Sequence, residues 1–261
     1  KLQELGFIRE ANLLVQYNNV ENNLNKAQNF YRYNAAGVEL ILTNGTIPSL
    51  AMKELLFGQT LPVIFLNFTD PVGSGVIKNF VDPPIANFTG VSYPVPVILR
   101  LRFVRKLLPN VKTIGIIHSD MPQAISYKKW LQELTTTPEF SNLEFKFQAV
   151  PLIKTEKGTT RMAEIAIQYV KQLEPMVDMF LSSNCSFGAS VDYSKMITAN
   201  SKKLTVGLSL VNVTNGEMAA IAPDSTMAGQ QAAIMTAKIL NGANIHDIIP
   251  EATRNHKIFL N

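Results

Sequence analysis

Hydroxyl and amide side chains cluster where short apolar runs of this sequence end. Val38–Leu42 leads into Thr43, Asn44, Gly45 and Thr46, and Val63–Leu66 into Asn67, Phe68, Thr69 and Asp70. Ile114–Ile117 is followed by His118, Ser119 and Asp120. Met179–Leu181 runs into Ser182, Ser183, Asn184, Cys185 and Ser186, and Val206–Leu208 into Ser209. If these runs are parallel strands, their carboxyl ends form the ligand-binding edge of a sheet. Hydroxyls, amides and the N–H groups of helix starts suit an uncharged or carboxylate-bearing small molecule. The same residue types are the preferred helix N-caps, which accounts for any one of them taken singly. Five such ends favour a shared cleft.

Reactive constellations are missing. His118, His246 and His256 lie in unrelated segments, without the His-x-x-x-His spacing of a metal site. Gly73-Ser74-Gly75 is not a nucleophile elbow, and no phosphate-binding loop or dinucleotide fingerprint occurs. A single cysteine, Cys185, excludes an internal disulfide and is more often a small buried filler than a nucleophile. No activated nucleophile or acid–base pair is visible, so no enzyme, catalytic residue or cofactor is expected. Asn-x-Ser/Thr triplets start at Asn44, Asn67, Asn87, Asn184 and Asn212, mostly at predicted strand ends, which makes glycosylation the weaker reading. Arg100, Arg102, Arg105 and Lys106 alternate with apolar residues and read as the solvated basic face of an amphipathic helix.

The 261 residues are 46% hydrophobic and 17% charged, with 24 Lys+Arg against 20 Asp+Glu. So apolar a chain has ample surface to bury, which excludes disorder. The longest uncharged stretch, Pro83–Leu99, is broken by four prolines and cannot span a membrane as a helix. A formal charge of +4 is too small and scattered to argue for nucleic acid.

Strand and helix patterns alternate throughout. Strands are expected at Leu13–Tyr17, Val38–Thr43, Val63–Leu66, Thr113–Ile117, Phe145–Val150, Val177–Leu181 and Leu204–Leu210. Helical spacing covers Asn22–Ala36, Pro48–Phe57, Gln123–Leu134, Thr159–Leu173, Ser190–Asn200 and Thr226–Leu240. Strands apolar on both faces belong to a buried parallel sheet, so the fold class is α/β, doubly wound, and the length suits two sheets. Lys1–Gly6 reads as the end of a helix closing on a C-cap glycine, so an upstream segment, with a targeting sequence, is expected to precede Lys1.

Thr69-Asp70-Pro71-Val72-Gly73-Ser74-Gly75-Val76, followed by Pro83-Pro84-Ile85-Ala86-Asn87-Phe88-Thr89-Gly90-Val91-Ser92, makes the sequence recognisable. It resembles the "DPVGAG…PGGNITG-S" signature of a family of bacterial ABC-transporter substrate-binding proteins that includes tryptophan and phenylalanine binders. Gly45–Ala51, Leu61–Phe65, Leu107–Gly115, Gly216–Ala220, Gly229–Ala233 and Ile239–Gly242 follow the family pattern in order, over about nine-tenths of the chain.

The resemblance implies a type I periplasmic-binding-protein fold: two Rossmann-like lobes joined by three crossovers, with the family's first strand missing before Lys1. The first lobe would take residues 1–92 plus 222–245, and the second 93–221 plus 246–261. An extracytoplasmic (periplasmic) monomer is implied, with or without a membrane anchor and with its signal peptide removed. It would capture an amino acid or related metabolite between its lobes and deliver it to an ABC importer permease. The alternative is the ligand-sensing domain of a membrane receptor such as a histidine kinase, whose partner would be its signalling module. Candidate ligand-binding residues are Asn44, Gly45, Thr46, Asn67, Asp70, Ser92, His118, Ser119, Ser183, Asn184 and Ser209, with no metal. Asp70 either accepts from a ligand ammonium or caps a helix starting near Gly73, and Asp224 caps the last long helix. Tyr93 and Ser119–Ile125 depart from the family pattern where acidic and amide residues are usual, so an aromatic amino acid is not simply inherited as ligand.

Overall fold

A computed structural model describes residues 1–155 and 157–261. Its helices are α1 (Leu24–Asn34), α2 (Thr46–Leu56), α3 (Val97–Leu107), α4 (Pro122–Leu134), α5 (Gly158–Leu173), α6 (Val191–Asn200), α7 (Leu210–Thr214) and α8 (Ser225–Leu240). The strands are β1 (Ile41–Asn44), β2 (Val63–Phe68), β3 (Phe88–Ser92), β4 (Thr113–Ser119), β5 (Glu144–Val150), β6 (Met179–Leu181), β7 (Leu204–Gly207), β8 (Ala219–Pro223), β9 (Glu251–Ala252) and β10 (His256–Leu260). The expected α/β class with two mostly parallel sheets is what forms. Among the described residues, no helix is long and apolar enough to cross a membrane.

Two compact units divide the chain: unit 1 is Lys1–Pro94 with Asp224–Asn255, and unit 2 is Val95–Pro223 with His256–Asn261. Unit 1 holds a parallel sheet in the order β1-β2-β3-β9. The pleat sends alternate residues to opposite faces. Val63 and Phe65 therefore pack with Ala51, Met52 and Phe88, while Ile64 packs with Val91, Ala228 and Ala232 of α8. Residues 246–255, which the sequence assigned to the second lobe, are tied to β3. Thr89 Oγ1 donates to the Ile248 carbonyl (2.6 Å), and Thr253 donates to the Ser92 carbonyl from N (3.1 Å) and Oγ1 (2.8 Å).

Unit 2 carries the order β10-β8-β7-β6-β4-β5, parallel except for β10 against β8. One face packs Ile114, Ile116, Met179, Leu181 and Val206 with Leu101, Val104, Tyr127 and Leu131. The other packs Ile117, Val150 and Phe180 with Ala163, Ala166 and Val170 of α5 and with Tyr193 and Ile197 of α6.

Three sequence expectations are corrected. Leu13–Tyr17 forms no strand; it has one isolated bridge, Arg9–Leu13, and Leu14 and Tyr17 are exposed. A strand persists only where a neighbour takes up its backbone groups, and β1 pairs with β2 alone. The strand at Leu204 stops at Gly207, because Ser209 and Asn212 close a capping box that starts α7. No α-helix begins near Gly73, where the chain runs through consecutive turns.

Gly90, in the middle of β3, has φ +154°, and a Cβ there would fall 2.6 Å from Phe65 N and closer still to its carbonyl oxygen. Gly229 in α8 has open space around it. Gly90→Ala should therefore cost more than about 3 kcal/mol, whereas Gly229→Ala should be neutral or stabilise by up to about 1 kcal/mol. Urea denaturation of the two variants checks this, and equal effects would contradict the packing of β2 on β3.

Candidate functional site

In unit 1 the predicted residues gather at adjacent strand ends. Asn44 closes β1 and Asn67 lies near the end of β2, where a register shift between Leu66 and Phe68 turns its backbone to φ +56°. The turn brings Asn67 Nδ2 within 2.7 Å of Asn44 Oδ1, to which it donates. Its own Oδ1 is buried without a partner. Thr46 opens α2, and its hydroxyl accepts from Thr69 N (3.4 Å). Gly45 before it offers no side-chain cap, so the first N–H groups of α2 are left without one.

Two members of this group are committed within unit 1, one to its own loop and one to the adjacent strand. Asp70 Oδ1 accepts from Gly73 N (2.7 Å), which closes the Asp-Pro-Val-Gly turn. Buried Ser92 donates to the Phe68 carbonyl (2.9 Å). Asp224 accepts from Thr226 N and Met227 N and caps α8, as the sequence implied.

In unit 2, β4 and β6 end side by side. His118 is buried, its Nδ1 lies 3.1 Å from the Ser119 carbonyl, and its ring meets Phe147 edge-on. Burial pushes its pKa below the usual histidine value, an effect the Ser119 carbonyl partly offsets. Ser119 donates to Cys185 Sγ (3.4 Å), and Ser186 donates to Met121 Sδ (3.2 Å), so the β6–α6 loop is joined to the β4–α4 turn. Ser183 and Asn184 are buried in that loop, and Ser183 Oγ and Asn184 Nδ2 have no partner. Gln123, at the start of α4, adds an unpartnered Oε1 while its Nε2 lies on Met121 Sδ. The fifth strand end is different: Ser209 is spent on capping, since its N and Oγ both donate to Asn212 Oδ1.

Sequence reasoning missed the polar core behind these loops. Arg100 is 2% exposed rather than on the solvated face of α3. It donates to Tyr127 Oη (2.8 Å) and to the Ser182 (3.3 Å) and Gly207 (3.0 Å) carbonyls. Its neighbours are bound too: Arg102 pairs with Glu139, and Arg105 lies over Phe140. Glu217, fully buried, accepts from Ser182 Oγ (2.9 Å), Ser194 Oγ (2.8 Å) and Asn212 Nδ2 (2.9 Å). Asn212 in turn accepts from Leu208 N and Ser209 N. A Cβ on Gly207 would sit 2.8 Å from Glu217 Oε2, so this crossing requires glycine. Asn87, Asn184 and Asn212 are buried, which leaves no room for a glycan on those triplets.

In unit 2 the β4–α4 and β6–α6 loops, with their leftover hydrogen-bonding groups, can hold a small polar molecule, and among the described residues no nucleophile stands beside a base. The family model for ABC transporter substrate binding proteins matches residues 1–261. The chain belongs to that family. This substrate-binding protein is 21% identical to a curated tyrosine-binding protein of Clostridioides difficile, over all of this chain and 72% of the relative. It matches a Streptococcus pneumoniae ABC domain solved in complex with L-Trp at a TM-score of 0.78 and 22% identity, covering all of this chain and 84% of that one. A conserved domain protein from Vibrio cholerae matches at a TM-score of 0.82 and 19% identity, over 99% of this chain and 83% of that one. At these identities the likeness is one of fold.

Burial raises the pKa of the Glu217 carboxyl above its ordinary 4.5, against the lowering by its three donors. Such a group keeps its proton in the folded protein at pH values where the unfolded chain has lost it. Its contribution to stability is complete below pH 4.5 and is lost as pH rises through the folded value. Compared with Glu217→Gln, the native protein should lose relative stability as pH rises above the ordinary carboxyl value of 4.5 in urea titrations. A pH-independent difference would contradict the assignment.

Proposed function

We propose that this substrate-binding protein captures a small polar solute on the carboxyl ends of its strands and delivers it to an ABC importer permease from outside the cytoplasm. One observation carries the reading. Polar side-chain atoms that a folded protein ordinarily satisfies are left over at the strand ends: Asn67 Oδ1 in unit 1, and Gln123 Oε1, Ser183 Oγ and Asn184 Nδ2 in unit 2. Each costs free energy while it lacks a partner, and a solute that supplies the partners recovers it. The tyrosine-binding relative and the L-Trp complex support an amino acid or related metabolite as a solute class to test first.

Bound solute should stabilise the fold by RT ln(1 + [L]/Kd), about 2.7 kcal/mol at a hundredfold excess over Kd. A thermal-shift panel of amino acids, sugars, polyols and nucleosides, with mass spectrometry of the purified protein for co-purified solute, should find a stabilising compound. Asn184→Ala and Thr46→Ala should remove the shift. Cys185, the single cysteine, sits next to Asn184, so its alkylation should slow when that compound is present. No stabilising compound in any class, and none co-purified, would overturn the reading.

A further inference from the structure

Arg100 Nε, Tyr193 Oη and His256 Nε2 are also buried without a partner in unit 2, but the three leftover side chains of the β4–α4 and β6–α6 loops share one property. Gln123, Ser183 and Asn184 are at least nine-tenths buried, and each presents a neutral amide or hydroxyl. Between them they offer an acceptor (Gln123 Oε1), a donor (Asn184 Nδ2) and a hydroxyl able to act as either. His118, on the same strand ends, is buried, which disfavours its protonated form.

The charged groups nearby are committed or lie in solvent. Arg100 and Glu217 are engaged with Tyr127, Ser182, Gly207, Ser194 and Asn212. Asp120, one residue beyond β4, is exposed, and Lys128 lies over the Phe147 ring. An ammonium or carboxylate drawn out of water onto Gln123, Ser183 and Asn184 would meet no counter-charge there, and the cost of desolvating it would stand unrecovered. A hydroxyl or amide carries no such cost and satisfies the same three atoms.

We propose that the solute is uncharged where it docks on unit 2, with neighbouring hydroxyl or amide groups of the kind carried by a polyol, a sugar or a nucleoside. This rests on the reading that the strand ends bind solute, and it narrows the solute class. Asn67 Oδ1, the leftover atom of unit 1, is neutral as well, while the Asp70 carboxylate there is turned onto its own loop.

The test is a thermal-shift and calorimetric comparison of the 261-residue chain with myo-inositol, D-glucose and adenosine against L-tyrosine and L-tryptophan. At least one uncharged probe should stabilise the protein and neither amino acid should match it. Gln123→Ala should weaken that binding by about tenfold or more. Asn184→Asp, which preserves size and adds a charge, should weaken it at least as much, and this second variant guards against a folding defect in the first. Asp120→Asn should bind as the native protein does. Stronger stabilisation by the amino acids, abolished in Asp120→Asn, would overturn the proposal and leave the solute-binding reading standing. Stabilisation by neither set would overturn both.

Discussion

Ser182 is gripped from two directions: its carbonyl accepts from the Arg100 guanidinium and its hydroxyl donates to the Glu217 carboxyl. The two ionisable groups meet through this residue rather than in a direct ion pair. Around them Tyr127 and Gly207 accept from Arg100, whose Nε alone is left over, and Ser194 and Asn212 donate to Glu217. Removing one member of such a buried network leaves the others unsatisfied, at about 3–5 kcal/mol for a charged group. The network gives order where the sheet cannot. Beyond the last ladder bond, a strand end is a loop, and loops that bind must be held by something other than strand pairing. Here β6 and β7 are held just beyond their ends, so Ser183 and Asn184 emerge from a fixed point.

Much of the architecture was legible because burial on both faces of a sheet leaves a crude signature. Val63–Leu66 and Ile114–Ile117 are apolar without alternation, and the helices between them keep a 3.6-residue stripe. Leu13–Tyr17 carries the same signature and forms no strand, because composition specifies a strand only when a neighbour exists to pair with it. Arg100 shows a different failure. It was grouped with Arg102, yet two residues along a helix are on nearly opposite sides. Arg100 shares its face with Val97 and Val104, at spacings of three and four, and that spacing marked it as buried. No comparable signal exposes Glu217, two of whose three partners, Ser182 and Ser194, lie more than twenty residues away in sequence.

The site was legible as a set of strand ends but not as a set of roles. Serine, threonine, asparagine and aspartate are equally at home capping a helix and touching a ligand. Only the hydrogen-bond partners separate the two. Asp70 turns out to be engaged with the Gly73 backbone, Ser92 with the Phe68 carbonyl and Ser209 with the Asn212 side chain. Gln123, an unremarked residue in a helix start, joins Ser183 and Asn184 in having an atom to spare. What distinguishes a binding group from a structural one in this protein is an unmet valence, which no residue type announces.

The antiparallel pairing of β10 with β8, from His256 opposite Pro223 to Leu260 opposite Ala219, ties the sheet of unit 2 to the end of the sequence. Between those strands the chain leaves to complete unit 1. During synthesis on a ribosome, the buried strand Ala219–Pro223 would therefore present an unpaired apolar edge while more than thirty further residues are made, and edges of that kind recruit other chains. The order of translation opposes the order of packing. Unit 1 cannot be finished before residue 255 or unit 2 before residue 260, so the two units mature almost together. Neither of them could therefore fold early in a chain that is exported unfolded.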